Sequence, residues 1–135
     1  QHAMDDRDVI ARFWGTPAGI PYAFNSLHKA GTKLLMGSDA PVAPLDPWLA
    51  ISAAVFGTES SDREPFQPEQ CLDFETALAS STAVGRVALR DADAADLVLL
   101  DCDPSIIDSP EAMRAMPEHV LGTMLAGRWT YQQAE

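Results

Sequence analysis

The chain has 135 residues, 47% of them hydrophobic and 21% charged, a globular composition at a length suited to a single modest core. With 20 acidic residues against 9 basic ones and a formal net charge of -11, it repels phosphate backbones and anionic lipid surfaces, which argues against nucleic-acid and membrane partners. No apolar run approaches the roughly 20 residues of a membrane span.

Cys71 and Cys102 are the only cysteines; far apart and without a CxxC pair, they are expected as reduced thiols and suggest neither a disulfide framework nor a thiolate zinc site. No signal-like segment with a basic start, an apolar middle and a small-residue cleavage site is seen, which points to the cytoplasm. The chain opens Gln1-His2-Ala3-Met4 with no initiator methionine and so reads as a piece of something longer.

In chain order, Asp5, Asp6 and Asp8 precede an apolar run ending at Trp14. Acids favour the positive end of a helix dipole, so residues 6–14 are expected to be helical, with Gly15-Thr16-Pro17 as the stop. Tyr22, Ala23, Leu27 and Ala30 recur near a 3.6 period and predict a second helix ended by Gly31. A short strand over 33–36 follows, broken at Gly37-Ser38-Asp39. Asp46-Pro47 reads as an N-cap with proline at the first helical position, opening a helix apolar around most of its girth and hence buried.

Residues 57–70 are polar and broken by proline, an exposed loop by composition. Asp73 can cap a helix from Phe74 to Ser81. Beyond Thr82 the period changes: residues 86–89 and 96–100 read as two strands about the turn-prone segment 91–94. Ser109-Pro110 opens a short helix ending near Met116-Pro117, and 119–125 with 128–132 make a hairpin about Ala126-Gly127. The shift near residue 83 divides the chain into an α/β part, 1–82, and an all-β part, 83–135.

Among residues able to carry chemistry, Asp39 stands first. An aspartate between glycine and proline is ordinarily a turn residue. At the carboxyl end of a buried barrel strand it could instead coordinate a divalent metal or accept a proton from metal-bound water, because active sites of parallel α/β barrels assemble at that rim. His2 could be a ligand or a substrate contact, against the ordinary reading of a solvated or capping group. His28 and His119 have no partner at metal-ligand spacing and read as structural or surface groups. Ser38 lacks a nucleophile elbow and a matched histidine. Trp14, Trp48 and Phe56 read as core.

The segment MGSDAPVAPLDPWLAISAAV resembles the stretch after the last barrel strand of metal-dependent amidohydrolases, in the branch called amidohydrolase family 3 or YtcJ-like. ETALASSTAVGRVAL resembles that family's helix before its small domain, DADAADLVLLDCDP its Ala-Asp-Leu-Val-Val-Leu-Asp strand, and HVLGTMLAGRWTYQ its closing hairpin, with Thr123 and Gly127 in a Thr-x-x-x-Gly pattern. Ala92 and Ala94 stand where the family usually has glycines or a Gly-Lys turn.

The resemblance implies an α/β fold in which this chain is the last strand-helix unit of a (β/α)8 barrel followed by the C-terminal part of a small β-sandwich. It also implies hydrolysis of C–N bonds in a small amide or cyclic amide, with one or two divalent metal ions, commonly zinc. By the same likeness Asp39 would touch the metal and carry a proton from the attacking water to the leaving nitrogen. His2 would lie where a substrate contact is possible. The family's His-x-His, bridging residue and two later histidines would lie upstream of residue 1, so the piece alone is expected to be inactive.

One alternative is a non-catalytic folding or interaction module derived from that family; another is an unrelated small α/β binding protein. An upstream His-x-His in the parent reading frame separates the first from an enzyme. An unpaired strand edge and the helix from Trp48 imply that the isolated piece either forms a homodimer or packs its barrel part poorly. A compact monomer without exposed apolar surface in size-exclusion chromatography counts against that.

Overall fold

Helix α1 (His2–Phe13) starts at His2 rather than at Asp6 because its first turn has something to bury. Ala3 and Met4 pack against Ala53, and Ile10 follows Ala3 by two turns on the same face. The stop expected at residues 15–17 lies outside the described residues: the computed structural model describes residues 1–14, 19–82, 88, 90 and 93–134.

Helix α2 (Phe24–Lys29) is closed by Gly31 at φ +84°, where a side chain would be strained. The Gly31 N–H donates to His28 O (2.9 Å) and the Thr32 N–H to Leu27 O (3.0 Å), the paired bonds of a Schellman end. The chain then runs extended through the segment read as a strand. Leu34 and Met36 turn toward the core while Leu35 is 69% exposed, the period-two alternation of β structure. Yet 33–36 forms no ladder with any of the described residues. A strand is defined by its neighbour, and here the Met36 N–H donates to Ser80 O at the end of a helix (2.8 Å).

Helix α3 (Pro47–Phe56) is the centre of the molecule. Asp46 Oδ1 accepts from the Trp48 N–H (2.9 Å), Pro47 fills the first helical position, and Gly57 at φ +64° ends the helix. Its buried residues run round the cylinder, as the sequence predicts: Trp48, Ile51, Ser52, Ala53 and Ala54. Helix α4 (Phe74–Ser80) is capped by Asp73, which accepts from both the N–H and the hydroxyl of Thr76. Helix α5 (Pro110–Arg114) is capped by Ser109. Both pack on α3.

The polar loop 57–70 is less free than its composition predicts. Thr58 and Gln70 are buried, and Ser61 and Arg63 are tied to Glu111 and to Glu59 and Asp8 respectively. These side chains fold the loop back over α1, α2 and α5, Gln70 by bonding Ser26.

Three antiparallel strands, β1 (Leu97–Leu100), β2 (Val120–Leu125) and β3 (Arg128–Gln132), form a sheet in that order. The hairpin turns at Ala126 (φ +48°) and Gly127 (φ +76°), the two positive angles that suit a twisted two-residue connection. Asp96 secures it by accepting from the Ala126 N–H (2.7 Å). Most of the strand expected over 86–89 lies outside the described residues, as do Asp91 and Ala92 of the turn after it.

One cluster of buried side chains joins the helical and the sheet parts: Trp48, Ile51, Ala54, Leu72, Ala77, Met113 and Met116, with Leu100 and Cys102 packed against it. The structure is therefore mixed α/β with a small antiparallel sheet. Among the described residues no helix is long and apolar enough to cross a membrane.

Candidate functional site

The turn that holds Asp39 is built from the end of the extended segment. Asp39 sits at φ +52°, a left-handed conformation that aspartate tolerates better than most side chains, and its carbonyl accepts from the Val42 N–H (2.9 Å). The backbone therefore satisfies the turn reading. The side chain is not consumed by it: the exposed carboxylate has no hydrogen-bond or ion-pair partner among the described residues.

Immediately before Asp39 the chain borders two hollows. Met36, Gly37 and Ser38 face Asp46, Ala50 and Ser81 across about 240 Å³. On the other side, Leu35, Met36 and Gly37 face His2, Tyr22 and Phe24 across about 280 Å³. His2, half-buried on the first turn of α1, is thus brought to the same cavity as the segment that leads into Asp39. The Asp39 side chain itself does not line either hollow.

Tyr22 forms part of the second wall at φ +55°, and its hydroxyl donates to the Asp6 carboxylate. Burial pushes its pKa up to about 12, reinforced by the hydrogen bond to Asp6 and by the charges of Asp6 and Asp5. At neutral pH it is a neutral donor. In the sequence it reads only as an apolar position on a helix; its place in the wall comes from the turn before α2.

A second constellation lies at the end of the sheet. Asp101 and Cys102 leave β1 just as His119 enters β2, and the His119 Nδ1 is 2.8 Å from Asp101 Oδ1. One ligand atom from each of Asp101, Cys102 and His119 lies within 4.8 Å of the others. The Cys102 thiol is pushed up in pKa by burial first, then by the charge and hydrogen bond of Asp101 and the charge of Asp103. Spacing along the chain hides this group, because only the strand register carries His119 back to Asp101. Among the described residues it is the one grouping of three such donors, and neither Asp39 nor His2 belongs to it.

Both cysteines are free, as expected. His28 is exposed in the last turn of α2.

Comparison with known proteins places these features in a family. A family model described as "Amidohydrolase family" matches residues 1–131. Protein LONG AFTER FAR-RED 3 of Arabidopsis thaliana is 28% identical over 141 aligned positions, covering 96% of this chain and 24% of the relative. The chain thus spans about a quarter of the length of that curated relative. No solved structure matches the chain.

Proposed function

We propose a function from one established premise: the chain belongs to the amidohydrolase family. In our reading it is the C-terminal portion of a metal-dependent hydrolase of the YtcJ-like branch that cleaves C–N bonds in small amides or cyclic amides. Residues 1–82 would contribute the last unit of a (β/α)8 barrel, and residues 83–135 the final share of a β-sandwich. The extended segment 33–38 supports this, since it keeps the alternation of a strand while having no strand beside it among the described residues.

The single observation that carries the catalytic part is the unpartnered carboxylate of Asp39 at the end of that segment. A carboxylate satisfied by a cap or an ion pair would be a structural group; this one is available to a ligand. Asp39 fits a divalent metal as one oxygen donor but cannot hold a catalytic ion alone, because such sites keep about three protein ligands. The other donors would come from outside this chain. When bound there, the ion, zinc being the first candidate, supplies a nucleophilic water near neutral pH.

The chain's own residues then have separable tasks. Asp39 takes the proton released by the attacking water and delivers it to the departing nitrogen, which needs a carboxylate within reach of both and not committed elsewhere. His2 and Tyr22, on the wall of the neighbouring cavity, would contact the substrate, Tyr22 through its ring and a hydroxyl whose proton is held by Asp6.

The test is a screen of amide and cyclic-amide substrates on the full-length protein after chelation and after re-addition of Zn²⁺. Hydrolysis that disappears with the chelator and returns with the ion is the expected result. Hydrolysis indifferent to chelation overturns the metal requirement, and none on any amide at any metal loading favours the non-catalytic module.

A further inference from the structure

The Asp101, Cys102 and His119 side chains meet through sheet geometry rather than through local sequence. Leu100 of β1 pairs with Val120 of β2 across a register irregularity after Leu99. The extra residue, Leu121, lies on β2, and such a bulge bends the strand that carries it next to His119. The Asp101 N–H donates to His119 O (3.1 Å), locking the two backbones at this end. Successive residues of a regular strand point to opposite faces. Here, past the end of β1, Asp101 and Cys102 both bring a donor atom within 4.8 Å of His119.

The support beneath this group is apolar and fixed. Cys102 packs against the main core, its Sγ 3.8 Å from the Sδ of Met116, which is fully buried. Above it the group is open, with the His119 and Asp101 side chains 43% and 46% exposed. A site with a rigid floor and an open mouth admits an ion and leaves room for water.

The donors select the ion. Calcium and magnesium want oxygen alone, whereas thiolate with imidazole and one carboxylate suits borderline-soft ions that accept four ligands in a tetrahedron. Bond lengths of about 2.0–2.3 Å put tetrahedral ligand atoms roughly 3.3–3.8 Å apart. The present spread of up to 4.8 Å is wider than that and the 2.8 Å His119–Asp101 contact tighter, so an ion would draw the thiol in and part the His–Asp pair. An ordinary His–Asp pair would need no thiol at this point.

We propose that Asp101, Cys102 and His119 form a binding site for a divalent transition-metal ion of the zinc class, with a fourth position open to water. The ion ties the exit of β1 to the entrance of β2. The site stands whether or not Asp39 acts in catalysis.

The probe is Co²⁺, which reports a thiolate ligand by a near-ultraviolet charge-transfer band. Added to the metal-stripped full-length protein, it should produce that band, and Cys102→Ser should remove it while Cys71→Ser and Asp39→Asn leave it in place. His119→Gln should weaken Co²⁺ binding by at least about tenfold. In the unaltered protein, Zn²⁺ should displace the band and slow alkylation of Cys102, a readout that needs no variant to fold. No cobalt–thiolate band, a band that survives Cys102→Ser, or alkylation of Cys102 indifferent to Zn²⁺ overturns the site.

Discussion

Individual residues carry the sharpest consequences. Glu111 accepts from both the backbone N–H (2.6 Å) and the hydroxyl (2.7 Å) of Ser61, and these bonds hold its carboxyl down at about 2. A folded pKa below the unfolded value of about 4.3 gives a contribution to stability that is full above pH 4.3 and is lost as the pH falls toward 2. Urea unfolding followed across that window should show a falling midpoint, and Glu111→Gln should flatten the fall; equal slopes in both proteins would refute the assignment. Gly57 is constrained in another way. Its φ of +64° already disfavours a side chain, and a Cβ there would stand 2.8 Å from Cys71 Sγ and 3.2 Å from Phe66 O. Gly57→Ala should cost about 2–4 kcal/mol in denaturant unfolding, and a change under about 0.5 kcal/mol, the usual range for an uncritical site, would mean the neighbours yield.

At the scale of elements, what was legible in the sequence is what local chemistry decides. Asp46, Asp73 and Ser109 cap the helices they were expected to cap, because an N-cap needs only a short acceptor and the N–H groups of the next turn. Asp46→Ala should therefore lower stability by about 1 kcal/mol while leaving the rest of the fold unchanged; no shift in the unfolding midpoint would show that Pro47 alone sets the helix start. The hairpin at Ala126-Gly127 was equally readable from its turn. The features that escaped depend on distant partners. Helix α1 reaches back to His2 because Ala3 and Met4 find Ala53, and no spacing near Asp5 announces that. Segment 33–36 has a strand's alternation but lacks a strand's neighbour among the described residues. The candidate site divides the same way: the turn at Asp39 was legible from its Gly-Ser-Asp-Ala-Pro context, whereas His119 looked solitary until β1 and β2 were placed in register with Asp101 and Cys102.

For the whole molecule, the arrangement of apolar surface bears on the same reading. The core around Trp48, Ile51, Met113 and Met116 is continuous from the helices to the sheet. Outside it, Leu35, Val42 and Leu45, all flanking the Asp39 turn, are 69%, 70% and 84% exposed. Exposed apolar side chains of this size suit a surface that another body covers, which is what the proposed function requires beside Asp39. The relative that this chain resembles is about four times its length, with room for such parts. The proposal stands or falls on Asp39 as a proton carrier. The decisive measurement is the turnover of the full-length protein and its Asp39→Asn variant on one amide substrate, at matched metal content and with folding checked by circular dichroism. A fall in kcat of about 10²–10⁴ is predicted. An unchanged kcat would contradict it.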